Sequence, residues 1–171
     1  MSLRQQEHHR ACYRLAVPAV LDFEISSQLR ASRADVWAAV SSMEGVNYEL
    51  MPFVRMTYPA RASRLTAADI KPGELLFQSW LLAFGAVPFD LHALVLMEVT
   101  DGEGFVEESS SWMQRRWRHE RRLRDAVSGC VVTDHLVVEP RLRMTQPVVG
   151  AAVRRLFSHR HRRLRRRFGA G

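Results

Sequence analysis

The chain of 171 residues has no run of about 18 consecutive apolar residues, so no segment reads as a membrane-spanning helix. The stretch from Leu15 to Leu21 is short, contains Pro18 and precedes no small-residue cleavage site, so it does not read as a secretory signal. Cysteine is scarce. Cys12 and Cys130 stand far apart, which excludes a CxxC metal or redox pair and leaves a disulfide framework unsupported. A reducing cytoplasm is the expected compartment, where a Cys12–Cys130 bridge is disfavoured. P-loop, GxGxxG and HExxH motifs are missing, so no cofactor is expected. His159 and His161 lack the i,i+4 spacing of helical metal ligands, so no metal is expected either. No paired-carboxylate or nucleophile signature stands out, so no catalytic residue is assigned.

What is present is ordinary globular material, 47% hydrophobic and 25% charged, which argues against disorder and collagen-like repeats. The organisation reads as a polar leader over 1–18 and a single domain over 19–169. Charge is divided sharply along the chain. Residues 1–140 carry 15 Lys+Arg against 18 Asp+Glu, or −3. Residues 141–171 carry 10 Arg and no acid, or +10, and the two add to the net +7. The basic balance therefore belongs to one C-terminal segment.

Leu21 to Leu29 alternates apolar and polar residues, the period-two mark of a half-buried strand. Ser32 then offers an N-cap oxygen, with Asp35 three residues on. Val36, Trp37, Val40 and Met43 follow at helical spacing, and Gly45 marks the helix stop. A second short helix or turn precedes Pro52, and Phe53–Tyr58 reads as a strand. After the Pro72–Gly73 turn come runs Glu74–Phe84, Val87–Val99, Phe105–Gln114, Trp117–Ala126 and Cys130–Glu139, an antiparallel meander. In the second of these, Phe89, Leu91, Ala93, Val95, Met97 and Val99 share one face, and Asp90, His92 and Glu98 share the other. Beyond Pro147, the residues Val149, Val153, Leu156, Phe157, Leu164 and Phe168 recur at three and four residue steps. They predict an amphipathic helix of roughly 20 residues, about 30 Å long.

The predicted class is α+β: a curved antiparallel sheet of about seven strands around a long C-terminal helix, with one or two short helices after the first strand. The last hairpin turns at Val127–Ser128, so paired residue numbers add up to about 255. Asp134 then faces Arg121 or Arg122, and Leu136 faces His119. Trp117 and His119 share one strand face. The candidate pocket residues are Trp80, Phe89, Trp112, Trp117, His119, Asp134, Leu136 and Leu156. Structural roles compete for each: core packing for the aromatics, an internal hydrogen bond for His119, and a cross-strand ion pair for Asp134. Asn47, Tyr48 and Glu49 are expected near the open end of such a pocket. The C-terminal arginines read as a solvated helix face, with an acidic macromolecule as the alternative partner; no aromatic interleaving supports nucleic-acid stacking.

Several short motifs occur in a telling order: Asp35-Val36-Trp37, Phe105-Val106-Glu107-Glu108, Trp117-Arg118-His119, Thr133-Asp134 with Pro140, and Phe157-Ser158-His159-Arg160-His161-Arg162-Arg163-Leu164. With the element order, they resemble the START/Bet v 1-like superfamily, and within it the bacterial SRPBCC proteins of helix-grip fold, over roughly Leu21 to Phe168. Where relatives often carry a second histidine and a phenylalanine, this chain has Arg121 and Leu123. The resemblance implies a hydrophobic-ligand pocket between the sheet and the last helix. It does not imply one reaction, since relatives include lipid carriers, aromatic polyketide cyclases, hormone receptors and partner-binding proteins. The leading expectation is a monomer or homodimer that binds a hydrophobic or aromatic small molecule or lipid without evident catalysis. The alternatives are a cyclase- or dehydratase-like enzyme using His119 and Asp134, and a partner-binding module using the basic helix.

Overall fold

The computed structural model describes residues 20–64 and 67–171. The leader and Cys12 therefore lie outside the described residues. Strand β1 (Leu21–Leu29) is followed by helices α1 (Arg33–Val40) and α2 (Met43–Leu50) and the short strand β2 (Val54–Met56). Five longer strands follow: β3 (Leu75–Ala83), β4 (Val87–Thr100), β5 (Gly104–Ser111), β6 (Gln114–Ala126) and β7 (Gly129–Pro140). Helix α3 (Gln146–Phe168) closes the chain. The seven strands form one antiparallel sheet in the order β1-β7-β6-β5-β4-β3-β2, with α3 lying on it as the predicted helix-grip class requires.

Ser32 caps α1 as its spacing predicts: its side chain accepts from the Asp35 N–H at 3.2 Å and donates to the Asp35 carboxylate at 2.6 Å. The expected stop at Gly45 is corrected. Helix α1 ends at Val40, Ser42 caps a new helix, and Gly45 lies within the first turn of α2. A Cβ on Gly45 would come within 1.9 Å of the Ala39 carbonyl oxygen, so glycine serves the close approach of two helices rather than a termination.

The β6–β7 register follows the predicted sum: His119 pairs with Leu136, and Arg121 with Asp134. Opposed residues in an antiparallel pair share a face. That face is the inner one, because β7 buries every second residue from Cys130 through Asp134 and Leu136 to Pro140. Strand β4 turns the other way from what its composition implies. Asp90, His92, Leu94 and Leu96 are buried, while Phe89 and Met97 on the apolar face are exposed. Internal partners for the polar groups, described below, make this orientation tolerable.

The core has two centres along α3. Near its start, Val149, Val153 and Phe157 pack with Leu21, Leu136 and Val138; near its end, Leu164 packs with Leu29, Val36, Val40, Leu123, Cys130 and Val132. Between them the helix buries His159, Arg160 and His161, three residues that an apolar stripe would not contain.

Candidate functional site

Arg121 extends inward from β6 and is completely buried. A buried guanidinium is tolerated only when its donors are matched by acceptors of opposite charge. Here Nη1 and Nη2 donate to the two carboxylate oxygens of Glu49 at 2.8 and 2.9 Å. Nε and Nη2 donate to the two oxygens of Asp134, each at 2.7 Å. The α3 arginine Arg160 donates through Nε to Glu49 at 2.9 Å. Asp134 also accepts from His119 Nε2 at 3.0 Å and His161 Nε2 at 3.1 Å. Ser27 closes the network on β1, 2.8 Å from His161 Nδ1 and 2.6 Å from Arg165 Nη1.

Burial alone would push the Glu49 and Asp134 carboxyls up. For Glu49 the charges of Arg121 and Arg160 outweigh it, and for Asp134 those of Arg121 and His119 do, so both lie below the ordinary carboxylate range. Burial pulls the Arg121 guanidinium down, yet Asp134 and Glu49 hold it well above its usual value. A second group of polar side chains lies on β4, β5 and β6. Glu107 accepts from His92 Nε2 at 2.7 Å and has His119 Nδ1 at 3.8 Å. Its carboxyl is raised by burial but held far below normal by the adjacent imidazoles of His119 and His92. Asp90 accepts from the Ser111 hydroxyl at 2.7 Å and from the Leu91 and Met113 amides.

This second group borders a cavity of about 450 Å³ between the sheet and α3. Apolar side chains dominate its lining: Met43, Val46 and Leu50 of α2, Leu94 and Leu96 of β4, Phe105, Trp117, and Val153, Leu156 and Phe157 of α3. The polar liners are Asp90, His92, Glu107, Ser111, Gln114 and His119, with Arg155, Arg160 and Arg162 from the helix. Exposed liners such as Phe53, Phe89 and Met113 belong to its rim.

Of the candidates named from sequence, Phe89, Trp117, His119 and Leu156 line the cavity. Trp80 and Trp112 do not. They stack edge-on with ring centres 5.0 Å apart and are 40% and 60% exposed, Trp80 because β3 turns its neighbours in alternation, Phe77 and Ser79, inward. Asp134 and Leu136 also lie outside the lining, the first consumed by the ion network and the second packed into the core near Phe157. Glu49 is not at an open end but 1% exposed. Asn47 instead holds both backbone groups of Met56, and Tyr48 lies under the Arg163 guanidinium at 4.0 Å. The arginine-rich helix is a solvated face only in part, since Arg160 is buried and Arg163 and Arg165 are half-buried. His159 donates to the Met51 carbonyl at 2.8 Å. The sequence reading did not place His92, Glu107 or Arg160 in the pocket; alternation set His92 beside Asp90 on one face of its strand without telling which face was inside.

No curated protein sequence matches the chain. Solved structures do, and their likeness shows the fold. Protein CV1439 from Chromobacterium violaceum superposes with a TM-score of 0.63 at 13% identity, over 88% of this chain and 99% of that one. A START superfamily protein from Mycobacterium smegmatis gives 0.55 at 10% identity, over 86% and 97%. The di-domain ARO/CYC StfQ from the steffimycin biosynthetic pathway gives 0.56 at 12% identity, over 88% of this chain and 50% of that one. The fold is thus the START/Bet v 1-like helix-grip anticipated from the motifs. A sequence profile described as a domain of unknown function, DUF8410, matches residues 27–168, from within β1 to the end of α3, and the chain belongs to that family.

Proposed function

We propose that the protein binds a hydrophobic or aromatic small molecule or lipid in the cavity under α3, without chemical conversion. The observation that carries this reading is the largely apolar cavity of about 450 Å³ with a few fixed polar groups on one side. Pockets for small molecules have this character and span about 300–1,000 Å³. Asp90 and Ser111 hold one another, as do His92 and Glu107, which suits recognition of a single orientation. Titration with the neutral fluorophore N-phenyl-1-naphthylamine tests the reading: saturable uptake is expected. Leu94→Phe, which places a ring in the cavity, should reduce it while the far-ultraviolet circular dichroism stays unchanged. Absence of saturable uptake, or uptake indifferent to the filled cavity, would count against it.

A second reading, acid–base catalysis of the cyclase or dehydratase kind, draws on His119, which lines the cavity with Nε2 bonded to Asp134. Both ring nitrogens face carboxylates, and Asp134 does not reach the cavity, so binding is favoured over turnover. Recovery of bound compound chemically unchanged supports binding; conversion that disappears in His119→Asn would replace it. The acidic-partner reading has less support, because Arg160, Arg163 and Arg165 are committed to internal contacts.

A further inference from the structure

Three arginines of α3 line the cavity, and none has its full hydrogen-bonding capacity used. Arg160 is 5% exposed; its Nε donates to Glu49 and its guanidinium lies 4.7 Å from the centre of the Phe157 ring. Both its Nη atoms lack a hydrogen-bond partner among the described residues. The single buried side-chain polar atom there without a partner is Gln114 Oε1, so the Nη atoms of Arg160 reach open space. The open space that Arg160 borders is the cavity. Arg155 and Arg162 are exposed liners, and no ion pair or hydrogen bond engages either among the described residues. The cavity carboxylates differ: Asp90 and Glu107 are already supplied with donors from Ser111, backbone amides and His92. Unused capacity at this site is therefore three guanidinium donors against one neutral acceptor, Gln114 Oε1.

We infer that the ligand is an amphipathic anion, its apolar body in the cavity and its oxyanion, carboxylate or phosphate, held by Arg155, Arg160 and Arg162. The inference rests on the cavity being the binding site. Planar guanidinium groups match such oxyanions with paired, charge-assisted hydrogen bonds, which a neutral alcohol of equal length cannot draw on.

Displacement of N-phenyl-1-naphthylamine by decanoate, decyl phosphate, decanol and decyltrimethylammonium separates the possibilities on the intact chain. At least one anion is expected to displace the probe about tenfold more tightly than decanol, roughly what one charge-assisted hydrogen bond supplies. Whichever anion leads identifies the headgroup. In the double variant Arg155→Gln/Arg162→Gln, whose sites are exposed, this preference for the anion over decanol should shrink several-fold. Equal displacement by decanol and both anions, or preference for the ammonium compound, overturns the inference and leaves the apolar cavity standing. A retained preference in the double variant overturns the role given to these arginines. If the probe does not enter at all, the cavity reading falls and this one with it.

Discussion

Replacing Glu49 by glutamine keeps its shape but removes the charge that Arg121 and Arg160 share. Arg121 then keeps only Asp134 and Arg160 loses the carboxylate it donates to, and unpairing a buried ion pair costs about 3–5 kcal/mol. Urea denaturation of Glu49→Gln should show a loss of that order; a loss below about 1 kcal/mol would mean the network contributes little to stability. Trp117→Ala acts on a half-buried cavity wall, and its expected effect is larger on probe affinity than on the unfolding midpoint. Residues legible in the sequence were those fixed by local rules. Arg121 and Asp134 meet because a two-residue turn sets their register, whereas Glu49 reaches Arg121 across 72 positions and Arg160 across 111. No spacing rule connects residues so far apart.

Elements were more legible than faces. Strand β1, the Ser32 cap and the long last helix follow directly from periodicity, because each is decided by neighbours within a turn or a pleat. Ser32→Ala should cost about 1 kcal/mol in thermal or urea unfolding, the usual loss for an N-cap. The orientation of β4 was not legible: alternation showed two faces but not which was inside, and the polar one is. Its inward placement depended on an acceptor and a donor from β5, Glu107 and Ser111, that only strand pairing brings near. At the β6–β7 turn, Gly129 has φ of +95°, and a Cβ there would approach the Leu29 carbonyl oxygen to 2.0 Å. Gly129→Ala should therefore destabilise the protein by about 1 kcal/mol or more, measured by its unfolding midpoint.

At the scale of the whole molecule, the buried carboxylates set the response to acid. Glu49, Asp134 and Glu107 have folded values lowered below those of the unfolded chain. A lowered folded value contributes stability that is fully present above the unfolded value of about 4 and is lost as pH falls through the folded one. The urea midpoint should stay level with respect to these groups from neutrality to about pH 5 and fall steeply below about pH 4. Buried pairs are poorly screened, so added salt should leave that acid limb in place. A midpoint that ignores acid, or an acid limb abolished by salt, would contradict this account.

The unequal fastening of α3 has a kinetic consequence. Its second half is bolted to α2 by Arg160–Glu49, His159–Met51 and Arg163–Tyr48, whereas its first half rests on Val149 and Val153 and begins without a side-chain cap. With apolar packing and no cap to hold it, the first half is expected to open before the second. Amide protons of Gln146 to Phe157 should therefore exchange with deuterium faster than those of residues 158–166, and an occupied cavity should slow the first set more than the second.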